Sequence, residues 1–460
     1  MPPLDPRSLW DLIAASGLPP GRFVSDADGR LALAALDGAT GLDTSMDHLR
    51  GRSVLISAQR QLPAVLALAE LDGIARRLVL CPPDLAPEHI PAVIADAGID
   101  AIVSDGTGPA AAAACPLHVR ISVDAIRPAP RPSRGRETEW LLFTSGTTGR
   151  PKMVVHTLAS LIGPLDDGLG TGADTVWSTF YDMRRYGGLT ILMRAVVLGG
   201  SMVLSQGDEP LPRFLTRAAA GRVTHISGTP SHWRRALMSP AVARFTPGYV
   251  RLSGEVADQT ILDNLRAAFP GAAIAHAYAS TEAGVGFDVR DGLAGFPASY
   301  IGQQGAKVEM KVQDGSLRLR SPRTARHFAD GRALADADGF VDSGDMVELR
   351  DGRYYFVGRR EGIINVGGRK VHPEEVEAVM LRHPGVRMAR ARARPSPITG
   401  ALVVADIVLR APEGPEAAVI ADEVIELCRL HLPEHKVPVT IQCVPALDIA
   451  ASGKLARPRA

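Results

Sequence analysis

The chain has 460 residues, which is long enough for two or three domains, and 46% of them are hydrophobic. Lys and Arg number 51 and Asp and Glu number 50, so the net charge of +1 gives no electrostatic reason to expect a nucleic-acid or anionic-membrane binder. The four cysteines, Cys81, Cys115, Cys428 and Cys443, lie far apart and form no CxxC pair. They predict neither a disulfide framework nor a zinc site, and they are typical of a reducing cytoplasm.

Neither the first residues nor the most apolar stretch predicts a targeting or membrane segment. Acidic residues and prolines occupy 1–13, where a signal peptide needs a basic start and an apolar core. The most apolar stretch, 189–204, is interrupted by Arg194 and by two glycines. Core packing explains it better than a membrane span, and we expect a cytoplasmic protein.

The first 140 residues alternate apolar runs with helical patterns. In chain order the predicted elements are strand 53–58, helix 62–75, strand 77–81, helix 86–98 and strand 101–105. Strands separated by helices of about 12 residues indicate βαβ units and a mainly parallel sheet. The stretches 106–116 and 127–137 are rich in Ala, Gly, Pro and Arg, which is typical of exposed linkers.

The middle of the chain continues in α/β style and then becomes rich in strands. Residues 307–321 alternate around Asp314-Gly315, and residues 347–358 alternate around Asp351-Gly352, which are strong hairpin signals. A different unit follows, with strand 362–368, helix 372–383, strand 401–409 and helix 416–432. We therefore predict a large domain over 1–360 and a small one over 361–460.

The segment FTSGTTGRPK, residues 143–152, carries the strongest chemical signal. It follows an apolar strand, 140–143, and precedes a predicted helix, 154–162. Glycines let backbone N–H groups close around an anion, hydroxyls donate further hydrogen bonds, and Lys152 adds a positive charge, so the composition suits a polyphosphate. It is not a Walker A loop, because Pro151 precedes the lysine. An ordinary Gly/Ser/Thr surface turn is the alternative on composition alone.

FTSGTTGRPK resembles the phosphate-loop signature of the adenylate-forming superfamily, which comprises acyl-CoA synthetases, adenylation domains and luciferases. Further segments resemble the family's other motifs: SGE at 253–255, YASTE at 278–282, DSGD at 342–345, GRREGIINVGGRKVHPEEVE at 358–377 and ASGKLAR at 451–457. The resemblance implies a large N-terminal α/β domain with parallel sheets and a strand-rich subdomain, followed by a small mobile α+β C-terminal domain. The part before residue 143 is similar in layout but looks shortened.

The same resemblance assigns roles to individual residues. Tyr278 would stack on adenine, Asp345 would accept hydrogen bonds from the ribose hydroxyls, and Glu282 would help to hold Mg²⁺. The catalytic residues it implies are Lys454, Glu282, Thr281 and Lys152. The nucleotide and cofactor positions it implies are Thr144, Ser145, Gly146, Thr147, Thr148, Gly149, Ser253, Gly254, Glu255, Tyr278, Ala279, Ser280, Asp345 and Arg359, with Lys370 at a phosphate-contacting position.

Two further positions relate to domain movement and to the acceptor thiol. Glu361 falls at the family's hinge, about which the small domain would rotate. Gly367 and Gly368 match the glycines that flank the pantetheine tunnel, and their missing side chains would leave room for it. Lys454 is the lysine that would bridge the substrate carboxylate and the α-phosphate.

The acyl pocket is where the sequence departs from the family's pattern. Residues 178–200 resemble the region that borders the substrate carboxylate, but the family's histidine is absent and Arg184 or Arg185 falls near its place. A pocket arginine could pair with a polar group of the acid, whereas Arg184 could equally form a structural ion pair with Asp182. Core packing and pocket lining are equal alternatives for His225, His232 and Trp233. The predicted pocket residues are Tyr181, Arg184, Arg185, Gly188 and His225.

The implied activity is that of an AMP-forming acid–thiol ligase. ATP and Mg²⁺ would convert a small carboxylic acid to an acyl-adenylate with release of pyrophosphate, and CoA would then form the thioester. The alternative is a stand-alone adenylation enzyme that loads the phosphopantetheine of an acyl carrier protein, and a nucleotide-binding regulator without catalysis is a third reading. Four arginines within 387–394 could meet CoA or an acidic carrier, although a solvated charged face is the default.

Overall fold

The fold is described from a computed structural model over residues 8–106, 115–130, 132–144, 151–163, 171–397, 399–410, 416–449 and 454–455. Its helices are α1 (Leu9–Ala15), α2 (Gln61–Leu71), α3 (Ile90–Ala97), α4 (Leu158–Ile162), α5 (Tyr186–Val197), α6 (Leu211–Ala220), α7 (Pro230–Ala236), α8 (Gln259–Ala268), α9 (Pro373–Met380) and α10 (Glu416–His431). Among these described residues, no helix has both the length and the apolar character that crossing a bilayer requires.

The first sheet is mainly parallel and carries the strand that precedes the phosphate-loop motif. Its strands are β4 (Ser53–Ile56), β5 (Arg77–Leu80), β6 (Ala101–Ser104), β7 (His118–Arg120), β9 (Glu139–Phe143), β10 (Met153–Thr157) and β20 (His327–Phe328). They lie in the order β20-β10-β9-β5-β4-β6-β7. The predicted strands 53–58, 77–81 and 101–105 are confirmed as β4, β5 and β6, and each neighbouring pair among them is parallel.

The second sheet supplies the other half of the site. Its strands are β1 (Phe23–Ser25), β2 (Arg30–Ala32), β11 (Val176–Thr179), β12 (Ser201–Leu204), β13 (His225–Gly228), β14 (Tyr249–Ser253), β15 (Ala273–Ser280) and β16 (Gly284–Val289), in the order β16-β15-β14-β13-β11-β12-β1-β2. The strands from β15 to β1 are parallel, and β16 folds back antiparallel on β15. The carboxyl ends of β13, β14 and β15 therefore meet at one edge.

The two sheets share one core, and α2 lies inside it. Every residue of α2 is buried, which agrees with its apolar character on all sides. Gln61 and Glu70 are its polar residues, and the Glu70 carboxylate accepts hydrogen bonds from the Thr40 hydroxyl and, at 2.7 Å, from the Gly41 N–H. Burial raises the pKa of Glu70 to about 7.

The third sheet is antiparallel and its hairpins follow the sequence prediction. It contains β17 (Phe296–Pro297), β18 (Glu309–Gln313), β19 (Ser316–Arg320), β21 (Val341–Arg350) and β22 (Arg353–Arg359). Asp314-Gly315 joins β18 to β19, and Asp351-Gly352 joins β21 to β22. All four turn residues have positive φ, as a type I′ hairpin turn requires, and this explains why Asp-Gly stands at both positions.

The fourth sheet forms a separate unit with its own core. It contains β23 (Ile364–Val366), β24 (Arg369–Val371), β25 (Val386–Ser396), β26 (Gly400–Leu409) and β27 (Ile441–Cys443), and α9 and α10 share its core. Two further short strands, β3 (Ala39–Thr40) and β8 (Arg127–Pro128), pair with each other. The stretch expected to be an exposed linker therefore begins with a strand, and Arg134 in it donates a 2.6 Å hydrogen bond to the Asp72 carbonyl.

The helix predicted over 154–162 is wrong in its first half. Met153–Thr157 is the strand β10, paired antiparallel with β9, and the helix α4 begins only at Leu158. The β-branched pair Val154-Val155 favours a strand, and β9 offers it a partner directly across the loop. Thr157 then caps α4 by accepting a hydrogen bond from the Ser160 N–H.

His156 on β10 connects the first sheet to the second. It is fully buried, its Nδ1 lies 2.9 Å from the Ser160 hydroxyl, and its Nε2 lies 2.7 Å from the carbonyl oxygen of Thr281 in the turn between β15 and β16. A carbonyl oxygen only accepts, so Nε2 carries the proton. Burial lowers the pKa of His156 to about 4, so the ring is neutral at pH 7 and Nδ1 accepts from Ser160.

We predict that His156→Gln makes the free energy of unfolding less dependent on pH between pH 6.5 and about 4. In the unfolded chain His156 returns to a pKa near 6.5, so between pH 6.5 and about 4 the unfolded state binds more protons than the folded state. The contribution of the neutral His156 ring to the free energy of unfolding is therefore fully present above pH 6.5. It decreases as the pH falls toward 4, by roughly 3 kcal/mol in total. Urea unfolding at several pH values measures this decrease, which should be smaller in His156→Gln.

His232→Gln provides the comparison, because burial also lowers the pKa of His232, to about 3. Each variant should lose only its own part of the pH dependence. An unchanged slope in His156→Gln would contradict the assignment of a buried neutral ring.

Candidate active site

The candidate site lies where parallel strands of the second sheet end. Gly228, Ser253 and Ser280 are the last residues of β13, β14 and β15, which are adjacent. In open α/β sheets ligands bind outside the carboxyl ends of the strands. Two sequence motifs, SGE at 253–255 and YASTE at 278–282, therefore come to one edge because their strands are neighbours.

Three residues from different motifs form one hydrogen-bonded group. The Tyr278 hydroxyl donates to Asp345 Oδ2 at 2.7 Å, and Arg359 Nε donates to Asp345 Oδ1 at 3.0 Å. Asp345 and Arg359 face each other in register on β21 and β22, and the Asp345 charge is the main cause that raises the pKa of Arg359. The Tyr278 ring lies nearly parallel to Phe356, with centroids 5.2 Å apart. The predicted adenine and ribose positions are thus adjacent.

Lys454 reaches this edge from the C-terminal end of the described chain. A Cβ atom added to Gly254 would lie 3.5 Å from Lys454 Cε, so the missing side chain at Gly254, whose φ is +86°, leaves room for the lysine. Burial lowers the pKa of Lys454, and the positive charge of Arg359 lowers it further. Three carboxylates oppose this shift, those of Asp345, Glu255 and Glu282.

The phosphate-loop motif is only partly described. Ser145, Gly146, Thr147, Thr148 and Gly149 lie outside the described residues. The two ends of the loop are joined, since the Thr144 N–H donates to the Lys152 carbonyl oxygen at 2.9 Å and Phe143 pairs with Met153. The Lys152 side chain is exposed. Thr281, Glu282 and Ala279 lie in or beside the turn from β15 to β16, to which His156 is bonded.

Side chains from two loops lie beside Gly254. The Tyr181 hydroxyl donates to the Ser253 carbonyl oxygen at 2.6 Å and lies 4.0 Å from a Cβ atom placed on Gly254. Thr229 Cγ2 is 3.7 Å from that same position, and the His232 ring packs edge-on against Tyr181. The sequence prediction missed Thr229, and it left His232 undecided between pocket lining and core packing.

Both arginines proposed for the pocket are engaged in ion pairs. Arg184 is buried and donates to both oxygens of Asp182, at 2.8 and 2.6 Å, and also to the Ala58 carbonyl oxygen at 2.6 Å. Arg185 pairs with Asp84. This is the structural alternative for Arg184. Arg185 keeps a buried Nε without a hydrogen-bond partner among the described residues, so its place in the pocket stays a prediction.

Gly188 and His225 also have positions that the structure explains by packing. A side chain on Gly188 would clash with the carbonyl oxygen of Asp182, so glycine lets α5 pack against the chain that precedes it. His225 begins β13 and lies between Trp177 and Tyr249 in register. Tyr249, the partner of His225 on β14, is four residues before Ser253, which corresponds to about 13 Å at the usual rise per residue. His225 is therefore at the opposite edge of the sheet, and we do not place it in the pocket.

The remaining C-terminal positions lie on the separate unit. Gly367 and Gly368 form the tip of the β23–β24 hairpin with φ of +57° and +82°, and nothing lies within 4 Å of a Cβ atom on Gly368. Lys370 is exposed on β24. Residue Glu361 lies in the 3₁₀ turn Arg360–Gly362, and its side chain is outside the described part of the chain. In this structure Lys454 is the C-terminal group that lies against Gly254.

Family comparisons agree with this geometry. A family model for AMP-binding enzymes matches residues 30–325, and a model for the AMP-binding enzyme C-terminal domain matches residues 375–454. The chain is 28% identical to a 2-succinylbenzoate–CoA ligase of Geobacillus kaustophilus over 344 residues, covering 70% of this chain and 68% of the relative. It is also 28% identical to 4-hydroxybutyrate–CoA ligase 1 of Metallosphaera sedula over 365 residues, covering 71% and 62%.

The fold is also that of a solved enzyme. An anthranilate CoA ligase in complex with anthranoyl-AMP superposes with a TM-score of 0.81 over 98% of this chain and 96% of that one, at 18% sequence identity. The chain spans about two thirds of the length of the two curated relatives. The first family match alone covers more than half of the chain and includes the phosphate-loop, SGE and YASTE segments. This chain therefore belongs to the AMP-binding enzymes.

Proposed function

We propose that this enzyme activates a small carboxylic acid with ATP and transfers the acyl group to the thiol of CoA. The observation that carries the proposal is the convergence of Lys454 with Gly254, Asp345 and Glu282 at one sheet edge. A partly buried ammonium among these groups suits a reaction between two anions. The names of the relatives, which are CoA ligases for an aryl acid and for a short hydroxy acid, support the same chemistry.

In the first half-reaction the substrate carboxylate attacks the α-phosphorus of ATP, the bond to the β-phosphate breaks, and pyrophosphate leaves. The nucleophile is already an anion, so positioning and charge neutralisation supply most of the catalysis. We assign to Lys454 the task of offsetting repulsion between the carboxylate and the α-phosphate oxygens. Thr281 would donate a hydrogen bond to the same phosphate.

The nucleotide would bind on the Tyr278–Asp345–Arg359 group. Each carboxylate oxygen accepts more than one hydrogen bond, so Asp345 can bind the ribose hydroxyls while it keeps its two protein donors. Stacking of adenine on Tyr278 stays a prediction. Ser253, Gly254, Glu255, Ala279 and Ser280 would flank the nucleotide, and Lys152 with the loop 144–149 would bind its phosphates.

Glu282 fits a Mg²⁺ ion that arrives with ATP. Among the described residues, no group of three His, Cys, Asp or Glu side chains could coordinate a metal ion by itself. Mg²⁺ that accompanies a nucleotide needs only one or two carboxylates, because phosphate oxygens and waters complete its shell. The ion would neutralise charge on the departing pyrophosphate.

We propose that the second half-reaction requires rotation of a small domain, 361–460, against a large one, 1–360. Lys454 now lies beside Gly254, where an acceptor thiol must later approach the adenylate. A turn about Glu361 would withdraw the lysine and bring the Gly367-Gly368 hairpin to the site. The open space at Gly368 would accommodate pantetheine, and Lys370 would approach a phosphate.

The pocket favours an aryl or short-chain acid. Tyr181 and Thr229 lie beside Gly254, the His232 ring packs against Tyr181, and Phe180 stacks on the His232 ring with centroids 5.2 Å apart. Aromatic walls suit a flat or compact acyl group. The ion pair of Arg184 with both oxygens of Asp182 gives no reason to expect a dicarboxylic acid, whereas the pocket role of Arg185 stays a prediction.

CoA is the acceptor we favour, and a carrier protein is the alternative. Arg387 has a buried Nε without a hydrogen-bond partner among the described residues, and the positive charges of Arg235 and Arg410 act on it. This basic surface, formed by Arg235, Arg387 and Arg410, supports an anionic acceptor, whether the phosphates of CoA or an acidic protein. The four free cysteines are compatible with the cytoplasm, where we expect the enzyme to act.

Mass spectrometry of reactions with ATP, Mg²⁺ and a panel of aryl and short-chain acids tests the function. Each acid is incubated alone, with CoA and with a phosphopantetheinylated carrier protein. Acyl-CoA from one acid class is the expected product. If the acyl group is transferred only to the carrier protein, the acceptor is the carrier and not CoA. Absence of any acyl-AMP across the panel would contradict the proposal.

We predict that Lys454→Ala lowers the rate of adenylate formation roughly 10²- to 10³-fold, because one charge-stabilising donor is lost. Thioester formation from supplied acyl-adenylate should change little. Pyrophosphate release and CoA consumption measure the two steps separately, and Lys307→Ala, at an exposed lysine, serves as the control. Equal loss in both steps would exclude the role given to Lys454.

We expect Glu361→Pro to slow the thioester step more than adenylate formation, because proline restricts φ at the hinge. Glu361→Ala removes the same side chain without this restriction and should keep both rates close to those of the parent. If Glu361→Pro makes thioester at the parental rate, rotation does not occur at this residue.

A further inference from the structure

The carboxylate of Glu255 joins the large unit to the segment that carries Lys454. Oε2 accepts a hydrogen bond from the backbone N–H of Ser231, at the start of α7, at 2.9 Å. Oε1 accepts one from the backbone N–H of Leu455, also at 2.9 Å. Each oxygen thus has one donor, and the two donors are more than 200 positions apart in the chain.

The Leu455 segment is held on its other side by the C-terminal unit. Leu455 forms an isolated β-bridge with Ile449, and its side chain packs on a small core formed by Met388, Val408 and Leu447. These contacts move with the C-terminal unit. The bond to Glu255 instead ties the backbone next to Lys454 to the large unit, and a hydrogen bond to a charged acceptor is stronger than one between neutral groups.

We propose that Glu255 is a latch that holds Lys454 in the adenylate-forming position. Its carboxylate fixes the backbone at Leu455, which sets where the lysine side chain enters beside Gly254. Release of this one bond frees the lysine segment without changing α7 or β14, because Ser231 still holds Glu255 in place. Glu255 is a positioning residue that acts through Lys454, and the proposal rests on the function proposed above for that lysine.

The latch explains why a charged residue stands at this point. Glu255 also raises the pKa of Lys454 through its charge, opposing the effect of burial and of Arg359. One carboxylate therefore both positions the ammonium and favours its charged form. Glu255→Gln removes the charge and leaves a single acceptor oxygen for two donors, while the shape of the side chain stays similar. It therefore separates the effects of charge and hydrogen bonding from the effect of side-chain size.

Reactivity of Lys454 toward an amine-reactive reagent, measured by peptide mass spectrometry, tests the latch without any need for activity. We expect labelling of Lys454 to increase several-fold in Glu255→Ala, less in Glu255→Gln, and not at all in Glu88→Ala, which removes an exposed glutamate. Both Glu255 variants lose the charge that raises the pKa of Lys454, so the difference between them reports the hydrogen bond. Equal labelling in Glu255→Ala and Glu255→Gln would overturn the proposal. The labelling experiment needs no substrate, so its outcome is independent of whether any acid in the panel is activated.

The two half-reactions give the second readout once an acid is identified. Adenylate formation by Glu255→Ala, measured as ATP–pyrophosphate exchange, should fall at least about tenfold, the value expected for loss of a hydrogen bond to a charged group. Thioester formation from supplied adenylate should fall less than adenylate formation, because Glu255 flanks the nucleotide in both half-reactions but holds Lys454 only in the first. An equal fall in both rates would mean that Glu255 acts on the fold or on the nucleotide and not on the lysine position.

Leu455→Pro removes the N–H donor without altering Glu255, so it tests the same bond if Glu255→Ala fails to fold. It should give the same split between the half-reactions. Combining it with Glu255→Ala should lower adenylate formation little further than Leu455→Pro alone, since the bond to Glu255 is already absent in that variant. Additive effects of the two substitutions would contradict the latch.

Discussion

The link from His156 to Thr281 joins the two parallel sheets at the point where the site is built. His156 comes from β10, directly after the phosphate-loop motif, and Thr281 lies in the turn that carries Glu282. A neutral, fully buried ring supplies both bonds, and the burial that lowers its pKa keeps it neutral. The spacing between the phosphate loop and the Thr281 turn thus depends on a contact that substrate never touches.

Two chemical steps at one site impose a second constraint. Adenylate formation needs a cation between two anions, whereas thioester formation needs that space for a thiol. The structure has the lysine beside Gly254 and the Gly367-Gly368 hairpin elsewhere on the C-terminal unit. In the proposed rotation, the single carboxylate bond at Leu455 would break in each cycle and would set the lysine's entry when it forms again. Strong packing across the same contact would oppose the exchange.

Much of the fold follows from local patterns. Buried strands with intervening helices indicate a parallel sheet, and the Asp-Gly pairs adopt the positive φ that their hairpins need. The helix expected at 154–162 is half strand, because β9 provides a ladder partner that no local window contains. The ion pairs of Arg184 and Arg185 likewise depend on neighbours, among them Asp84, which is 101 residues from Arg185.

The sequence by itself determined the family, the order of the motifs and the residue types of the site, because binding a nucleotide requires particular side chains at short, local spacings. Tertiary structure decided which of them meet. His225 is at the far edge of its sheet, since strand register and not residue type sets that position. His156 and Thr281 are 125 residues apart, and Glu255 and Leu455 are 200 apart. Such contacts arise from packing of whole sheets and units, which no local pattern of residues encodes.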